Sequence, residues 1–188
     1  MRADWLRSTR ARSLLAATFG ISLVLGGAFL AVDQLHATPG DALNRPGPPL
    51  SDEQSRVQTV GAAKDVVSAG RLHTTSAGYL LMSCRDRDNP PYQGAVYLTF
   101  TIPADTRADS YLPAVATALV ADGWVEGLSP GGHPYSKSLA RGAVTALIYR
   151  DDENANLGVA RVYGECRNTS DHRADLTDWV DVTGEIGG

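Results

Sequence analysis

The spacing of apolar residues changes along the chain, and this change limits the fold more than any other feature. Ser51-Asp52-Glu53-Gln54 matches a helix capping box, and the apolar residues after it recur every three or four positions. This pattern predicts an amphipathic helix over about 52–69 that stops at Gly70. Beyond Gly70 apolar and polar residues alternate in short segments, which is typical of half-buried strands.

The order of these segments predicts the fold class. Alternating segments at 79–84 and 96–102 indicate a hairpin, and a second helix begins near Asp109 with Pro113 in its first turn. More alternating segments follow, the last at 157–166. The order α-β-β-α-β-β-β predicts an α+β fold, with an antiparallel sheet of about five strands and two helices on one face.

An uncharged apolar run precedes this domain. Residues 13–32 carry no charge, and four arginines stand among residues 1–12. Twenty helical residues span about 30 Å, the thickness of a bilayer core, so we expect a transmembrane helix with residues 1–12 in the cytoplasm. A cleaved signal peptide is the alternative, and both interpretations place the rest of the chain outside the cytoplasm. No cysteine stands near the end of the run, so a lipid-modified N-terminal cysteine is not expected.

The remaining boundaries follow from composition. Residues 33–50 are proline-rich and form a predicted linker, residues 51–170 form an extracytoplasmic α+β domain, and residues 171–188 form an acidic tail. The net charge of −4 gives no support to a nucleic-acid binder. We therefore expect a single-pass protein of the cell membrane, with the membrane and an envelope protein as its partners.

The two cysteines predict one disulfide bond. Cys84 ends the first predicted strand, Cys166 ends the last, and both point toward the apolar side of their strands. In an oxidising compartment such a pair is best interpreted as a disulfide, which would bring the first and last strands side by side. A redox-active pair is the alternative, but it usually needs a C-x-x-C spacing.

Four short motifs around these elements resemble a known group of proteins. They are Ser83-Cys84, Phe100-Thr101-Ile102-Pro103, Ala121-Asp122-Gly123-Trp124 and Gly164-Glu165-Cys166. Together they resemble a loose group of actinobacterial exported proteins over about residues 50–168. The resemblance implies a small two-cysteine α+β domain, often a lipoprotein, of uncharacterised function. It implies no catalytic residues.

Motifs that suggest chemistry have simpler explanations. Residues 127–131 spell G-x-S-x-G, but no helix can follow Ser129 as a nucleophile elbow requires, so we interpret them as a turn. Asp152, Asn154 and Asn156 imitate a calcium loop without its glycine and glutamate, which favours turn chemistry. The four histidines are scattered, so we expect no metal, no cofactor and no catalytic residues.

One face of the predicted sheet is rich in tyrosine. If Leu80 and Met82 face the helices, the opposite face carries a candidate binding face, which consists of Tyr79, Tyr97, Thr99, Tyr149, Arg161 and Tyr163. Structural tyrosines, a partner site and cover by Leu176, Trp179 and Val180 of the tail all remain open. The sequence therefore predicts an envelope binding or scaffold domain. The alternatives are a hydrolase that uses Ser129 with His133 or aspartates, and a passive spacer.

Overall fold

The computed structural model describes residues 47–85, 89–129, 131–175 and 178–187. Its elements are three helices and seven strands in one antiparallel sheet. The helices are α1 (Asp52–Gly70), α2 (Ala108–Ala121) and α3 (Thr183–Ile186). The strands are β1 (His73–Ser83), β2 (Tyr92–Thr101), β3 (Val125–Glu126), β4 (Lys137–Arg141), β5 (Val144–Arg150), β6 (Leu157–Tyr163) and β7 (Val180–Asp181).

Helix α1 begins as the sequence predicts. The Ser51 hydroxyl accepts a hydrogen bond from the Gln54 backbone N–H, and the Gln54 side chain accepts one from the Ser51 N–H. This reciprocal pair satisfies two of the backbone donors that a helix N-terminus leaves without partners. The capping box and the boundary at residue 52 are confirmed.

The sheet order is β3-β4-β5-β6-β2-β1-β7, and every neighbouring pair is antiparallel. Helices α1 and α2 cover one face and enclose the core between helices and sheet. We call this the helix face and the opposite one the open face. The largest buried side chains of the core include Trp124, Phe100, Leu98, Leu112, Leu119, Leu139 and Ile148.

Two parts of the predicted architecture are corrected. The sheet has seven strands rather than about five, and three helices rather than two accompany it. The additional strands β3 and β7 have two residues each, too few for an alternating pattern to reveal them. The predicted transmembrane helix, residues 13–32, lies outside the described residues. Within the described ranges, no helix is long and apolar enough to cross a membrane.

The end of the chain belongs to this fold. Strand β7 pairs with β1 at one edge of the sheet, and α3 follows at once. Val182 and Ile186 are buried in the core, and Glu185 forms an ion pair with Arg56 of α1 at 2.5 Å. The segment predicted as an acidic tail therefore contributes a strand and part of the core.

The structure contains the predicted disulfide bond between Cys84 and Cys166, whose Cα atoms are 6.0 Å apart. The expectation that it joins adjacent strands is wrong. Strand β6 pairs with β2, and β2 separates it from β1. The bond therefore connects the ends of two strands that lie on either side of β2.

Candidate binding face

The register of β1 decides which of the predicted residues share the open face. Tyr79 is paired with Val96, and residues directly opposite each other in an antiparallel pair lie on one face. Because Val96 belongs to the core, Tyr79 lies on the helix face, where it is only 7% exposed. Burial raises the pKa of Tyr79 to about 12. The prediction that Tyr79 belongs to the binding face is wrong.

The open face carries a row of five side chains that runs across β2, β6 and β5. We call this the aromatic row, and its members in order are Trp179, Tyr97, Arg161, Tyr149 and His133. Its strands β2, β6 and β5 are neighbours, and Trp179 and His133 come from segments beyond them. The predicted residues Thr99 and Tyr163 lie on the same face beside it.

Arg161 occupies the middle of the row. Its guanidinium carbon lies 5.4 Å from the ring centre of Tyr97 and 5.5 Å from that of Tyr149. A guanidinium over an aromatic ring is attracted by the negative charge of the ring face, so Arg161 attaches β6 to both neighbouring strands.

The His133 end of the row is closed. The His133 ring stacks on Tyr149 with centroids 4.0 Å apart and nearly parallel planes, and its Nδ1 lies 3.0 Å from a carboxylate oxygen of Asp152. Tyr149 is therefore only 3% exposed, although its strand face is not covered by helices. Burial is the main cause that raises its pKa.

The Trp179 end is open. Trp179 is 51% exposed and lies 6.1 Å from the ring centre of Tyr97. It can lie this close to β1 because Gly78 has no side chain: a Cβ atom there would be 3.1 Å from the Trp179 Cβ. Beside the two rings is a concavity of about 410 Å³, which Ser76, Asp181 and Thr183 also line.

Sequence reasoning found most of the row and offered Trp179, with Leu176 and Val180, as a possible cover of the tyrosines; the contact of Trp179 with Tyr97 is confirmed. Tyr97, Arg161 and Tyr149 were expected on one face, and the strand register brings them together. The contact of Trp179 with Tyr97 depends on the pairing of β7 with β1, which no local pattern reveals.

The remaining predicted residues lie outside the row. Thr99 hydrogen-bonds the hydroxyl groups of Thr75 and Ser76. Of the three tail residues, Leu176 lies outside the described residues and Val180 is exposed at the sheet edge.

Ser129 and His133 line a second concavity, of about 390 Å³, at the closed end of the row. The Ser129 hydroxyl donates a hydrogen bond to the carbonyl of Ser136. His133 pairs with Asp152, which is the arrangement that orients a catalytic histidine. Among the described residues, no hydrogen bond joins Ser129 to His133, so only part of a serine hydrolase site is assembled.

The calcium-like segment forms a turn. The Asp151 carboxylate accepts hydrogen bonds from the backbone N–H groups of Glu153 and Asn154, and Asn154 accepts one from Asn156. These short-range bonds are typical of turns that aspartate and asparagine stabilise. In the part of the chain that the structure describes, no group of three His, Cys, Asp or Glu side chains is placed to hold a metal ion.

Residues 51–185 match a protein family described as "Putative lipoprotein LppJ". A protein of Mycobacterium bovis with the same description is 35% identical over 188 aligned residues, which cover 96% of this chain and 94% of the relative. Two relatives with that description, from Mycobacterium tuberculosis strains CDC 1551 and H37Rv, are each 34% identical with the same coverage. No solved structure matches the chain significantly.

Proposed function

Since the chain belongs to the LppJ lipoprotein family, we propose that it is an envelope-associated binding domain that holds a partner protein on the open face of its sheet. The contact surface is the Trp179 end of the aromatic row. The His133 end of the row is buried and stabilises the same face of the sheet.

One observation carries this proposal, namely a half-exposed tryptophan fixed against a tyrosine on a rigid sheet. Trp179 lies against the β1 backbone at Gly78 and beside Tyr97, whose own position Arg161 holds. Tryptophan, tyrosine and arginine are enriched among the residues that carry most of the binding energy in protein interfaces. Contiguous apolar side chains that stay exposed mark surfaces used for contact, and Trp179 is 51% exposed beside the partly exposed Tyr97.

The envelope location is supported by the relatives and by the disulfide. The curated relatives are described as lipoproteins, and disulfides persist in compartments outside the cytoplasm. This sequence departs from the description in one respect. It contains two cysteines, and both form the Cys84–Cys166 bond, so neither thiol is free to carry a lipid.

The test is photo-crosslinking in intact cells. A photo-reactive amino acid at Ser76, which lines the open concavity, should give a discrete protein adduct. The same residue at Val125, which is also exposed but lies in β3 at the opposite edge of the sheet, serves as the matched control. We expect the Ser76 adduct to disappear in Trp179→Ala protein that still unfolds cooperatively. Equal adducts at both positions, or none at Ser76, would contradict the proposal and favour a passive spacer.

The second candidate is a hydrolase at Ser129. The observation that favours it is the His133–Asp152 pair beside Ser129 in one concavity. A serine-reactive phosphonate should then modify Ser129 in the purified protein. His133→Gln should abolish the modification, because glutamine cannot accept the proton of the Ser129 hydroxyl. Absence of modification under conditions that label a control hydrolase would reject this candidate.

A further inference from the structure

Gly78 contributes no side chain to the open face, where Trp179 packs directly on its backbone. It is paired with Tyr97 on one side and with Asp181 on the other, so the three residues form one line across β2, β1 and β7. Neighbouring strands lie about 4.8 Å apart, which places Tyr97 and Asp181 roughly 10 Å from each other along this line. Any other residue at position 78 would place a side chain between them.

Trp179 fills part of the space over Gly78 and borders the concavity beside it. Its packing on Gly78 and beside Tyr97 places Trp179 on the same side of the sheet as Asp181. We call this concavity the Gly78 slot. Gly78, Tyr97, Trp179 and the carboxylate of Asp181 all line it.

The charge of the slot is negative. Among the described residues, Asp181 has no ion-pair partner, and its carboxylate accepts only the backbone N–H of Thr183. Hydrogen bonds from Thr183 lower its pKa, so it is ionised at neutral pH. None of the residues that line the concavity is basic. Arg161 lies on β6, on the other side of Tyr97 from the slot.

We propose that the Gly78 slot binds a lysine or arginine side chain of the partner protein. This inference rests on the proposed function and names the group that the open face recognises. The apolar stem of such a side chain lies against the Trp179 ring, as long basic side chains commonly do on apolar surfaces. Its charge then lies beside the Tyr97 ring and the Asp181 carboxylate, and both attract a cation.

Other ligand groups fit the slot less well. An anionic group is repelled by Asp181. An uncharged aliphatic side chain can cover Trp179, but it removes water from the Asp181 carboxylate and gives no hydrogen bond in return. An elongated apolar group with a cationic tip satisfies both parts of the slot.

The experiment compares two short peptides that differ only in charge. One is acetyl-Gly-Gly-Lys-Gly-Gly-amide, and the other has norleucine in place of lysine. They are titrated into the full-length chain while the indole N–H signals are followed by NMR. Trp179 should respond, and the buried Trp124 on the helix face is the internal control. We expect the norleucine peptide to bind about 2- to 30-fold more weakly, which is the range of a cation at an aromatic site.

Two variants locate the effect. Asp181→Asn keeps an oxygen for the Thr183 N–H, so it tests the charge without disturbing β7. Gly78→Ala places a Cβ atom 3.1 Å from the Trp179 Cβ and therefore pushes the indole out of its position beside Tyr97. Both should weaken binding of the lysine peptide to the level of the norleucine peptide.

Three results would overturn the inference. They are equal binding of the two peptides, no response of Trp179 to either, and a choline affinity above that of the lysine peptide, which would assign the slot to a small quaternary ammonium compound. If the peptides fail while the Ser76 crosslink still depends on Trp179, only the cationic group is wrong. If the crosslink fails as well, the proposed function fails with it.

Discussion

The two ends of the aromatic row contain similar side chains in opposite surroundings. At one end Tyr149 lies between His133 and Arg161 and is 3% exposed. At the other end Trp179 contacts Tyr97 on one side and remains 51% exposed. The difference arises from the segments that cross the sheet: the loop with His133 covers Tyr149, whereas Trp179, just before β7, packs on Gly78 and beside Tyr97 with its other side exposed.

This comparison separates structure from recognition on a single sheet face. An aromatic residue enclosed on both sides has no area left for a ligand, so its contribution is to stability. An aromatic residue supported on one side is held in place and still offers a surface. We therefore assign the stability of the open face to the Tyr149 end and its binding function to the Trp179 end.

Substitution of the two tyrosines should give the largest difference. Tyr149→Ala should lower the free energy of unfolding by about 3–5 kcal/mol, because it leaves a cavity between His133 and Arg161. Tyr97→Ala, at the partly exposed position, should cost about 1–2 kcal/mol. Urea denaturation of both variants, followed by circular dichroism, measures the two values.

The result also tests the division of roles. If Tyr97→Ala destabilises the protein as much as Tyr149→Ala, the open end is as structural as the closed end. Equal values would therefore remove the main argument for a binding surface at Trp179.

Loss of the disulfide should have the next largest effect and should not distinguish the two ends. Replacing Cys84 and Cys166 by serine should cost about 2–4 kcal/mol, since the bond closes a long loop in the unfolded chain. The difference between Tyr149→Ala and Tyr97→Ala should be the same in this background. A changed difference would show that the disulfide acts on the row itself rather than on the whole fold.

The position of Tyr79 shows why the sequence could not assign the faces correctly. Strand β1 contains apolar residues on both parities, with Leu80 and Met82 on one and Tyr79 and Leu81 on the other. The pairing shifts between Thr74 and Ser76, and one extra residue there reverses which parity faces the helices. Alternation alone cannot reveal such a bulge.

The capping box and the tail show the two limits of prediction. The start of α1 depends on four adjacent residues, so the sequence was sufficient to place it. Strand β7 depends on pairing with residues about a hundred positions earlier, and its two residues carry no periodic signal. The accessible half of the site lies in this second class, which explains why Trp179 was only one of several possible covers for the tyrosines.

Arg161 tests whether the two ends are energetically linked. It contacts Tyr97 and Tyr149 at similar distances, so Arg161→Met should cost about 1–2 kcal/mol through loss of both cation–ring contacts. A double-mutant cycle of Arg161→Met with Tyr97→Leu and with Tyr149→Leu, which remove the rings, measures the two couplings. We expect similar coupling energies, of about 0.5–1 kcal/mol each. Coupling to only one tyrosine would show that the row is two separate clusters.

The smallest effect concerns pH and the segment that leads to the open end. The His172 ring lies between two carboxylates, with Nδ1 2.6 Å from Asp175 and Nε2 3.1 Å from Asp52 at the start of α1. It also meets the edge of Tyr92. Burial by itself lowers the pKa of His172, but the hydrogen bonds and charges of Asp175 and Asp52 outweigh it, and the pKa is raised above 6.5.

When folding raises the pKa of a histidine, the protonated form of that histidine stabilises the folded state. Its contribution is complete below the unfolded pKa of about 6.5 and is lost as the pH rises through the folded pKa. The pKa of Asp52 is lowered, so that carboxylate stays ionised down to strongly acidic pH and does not interfere between pH 5.5 and 8. We therefore expect the attachment of residues 178–187 to be firmer at pH 5.5 than at pH 8, by roughly 1 kcal/mol or less.

Hydrogen exchange measures this attachment at the Val182 N–H, which donates to the carbonyl of Ala77. Protection, corrected for the intrinsic exchange rate, should be higher at pH 5.5 than at pH 8. In the His172→Gln variant, which keeps a polar side chain but does not titrate, protection should be equal at the two values. The amide of Leu98 in the interior strand β2 reports global unfolding and serves as the control. A change at Leu98 equal to that at Val182 would mean that His172 stabilises the whole domain rather than the open end.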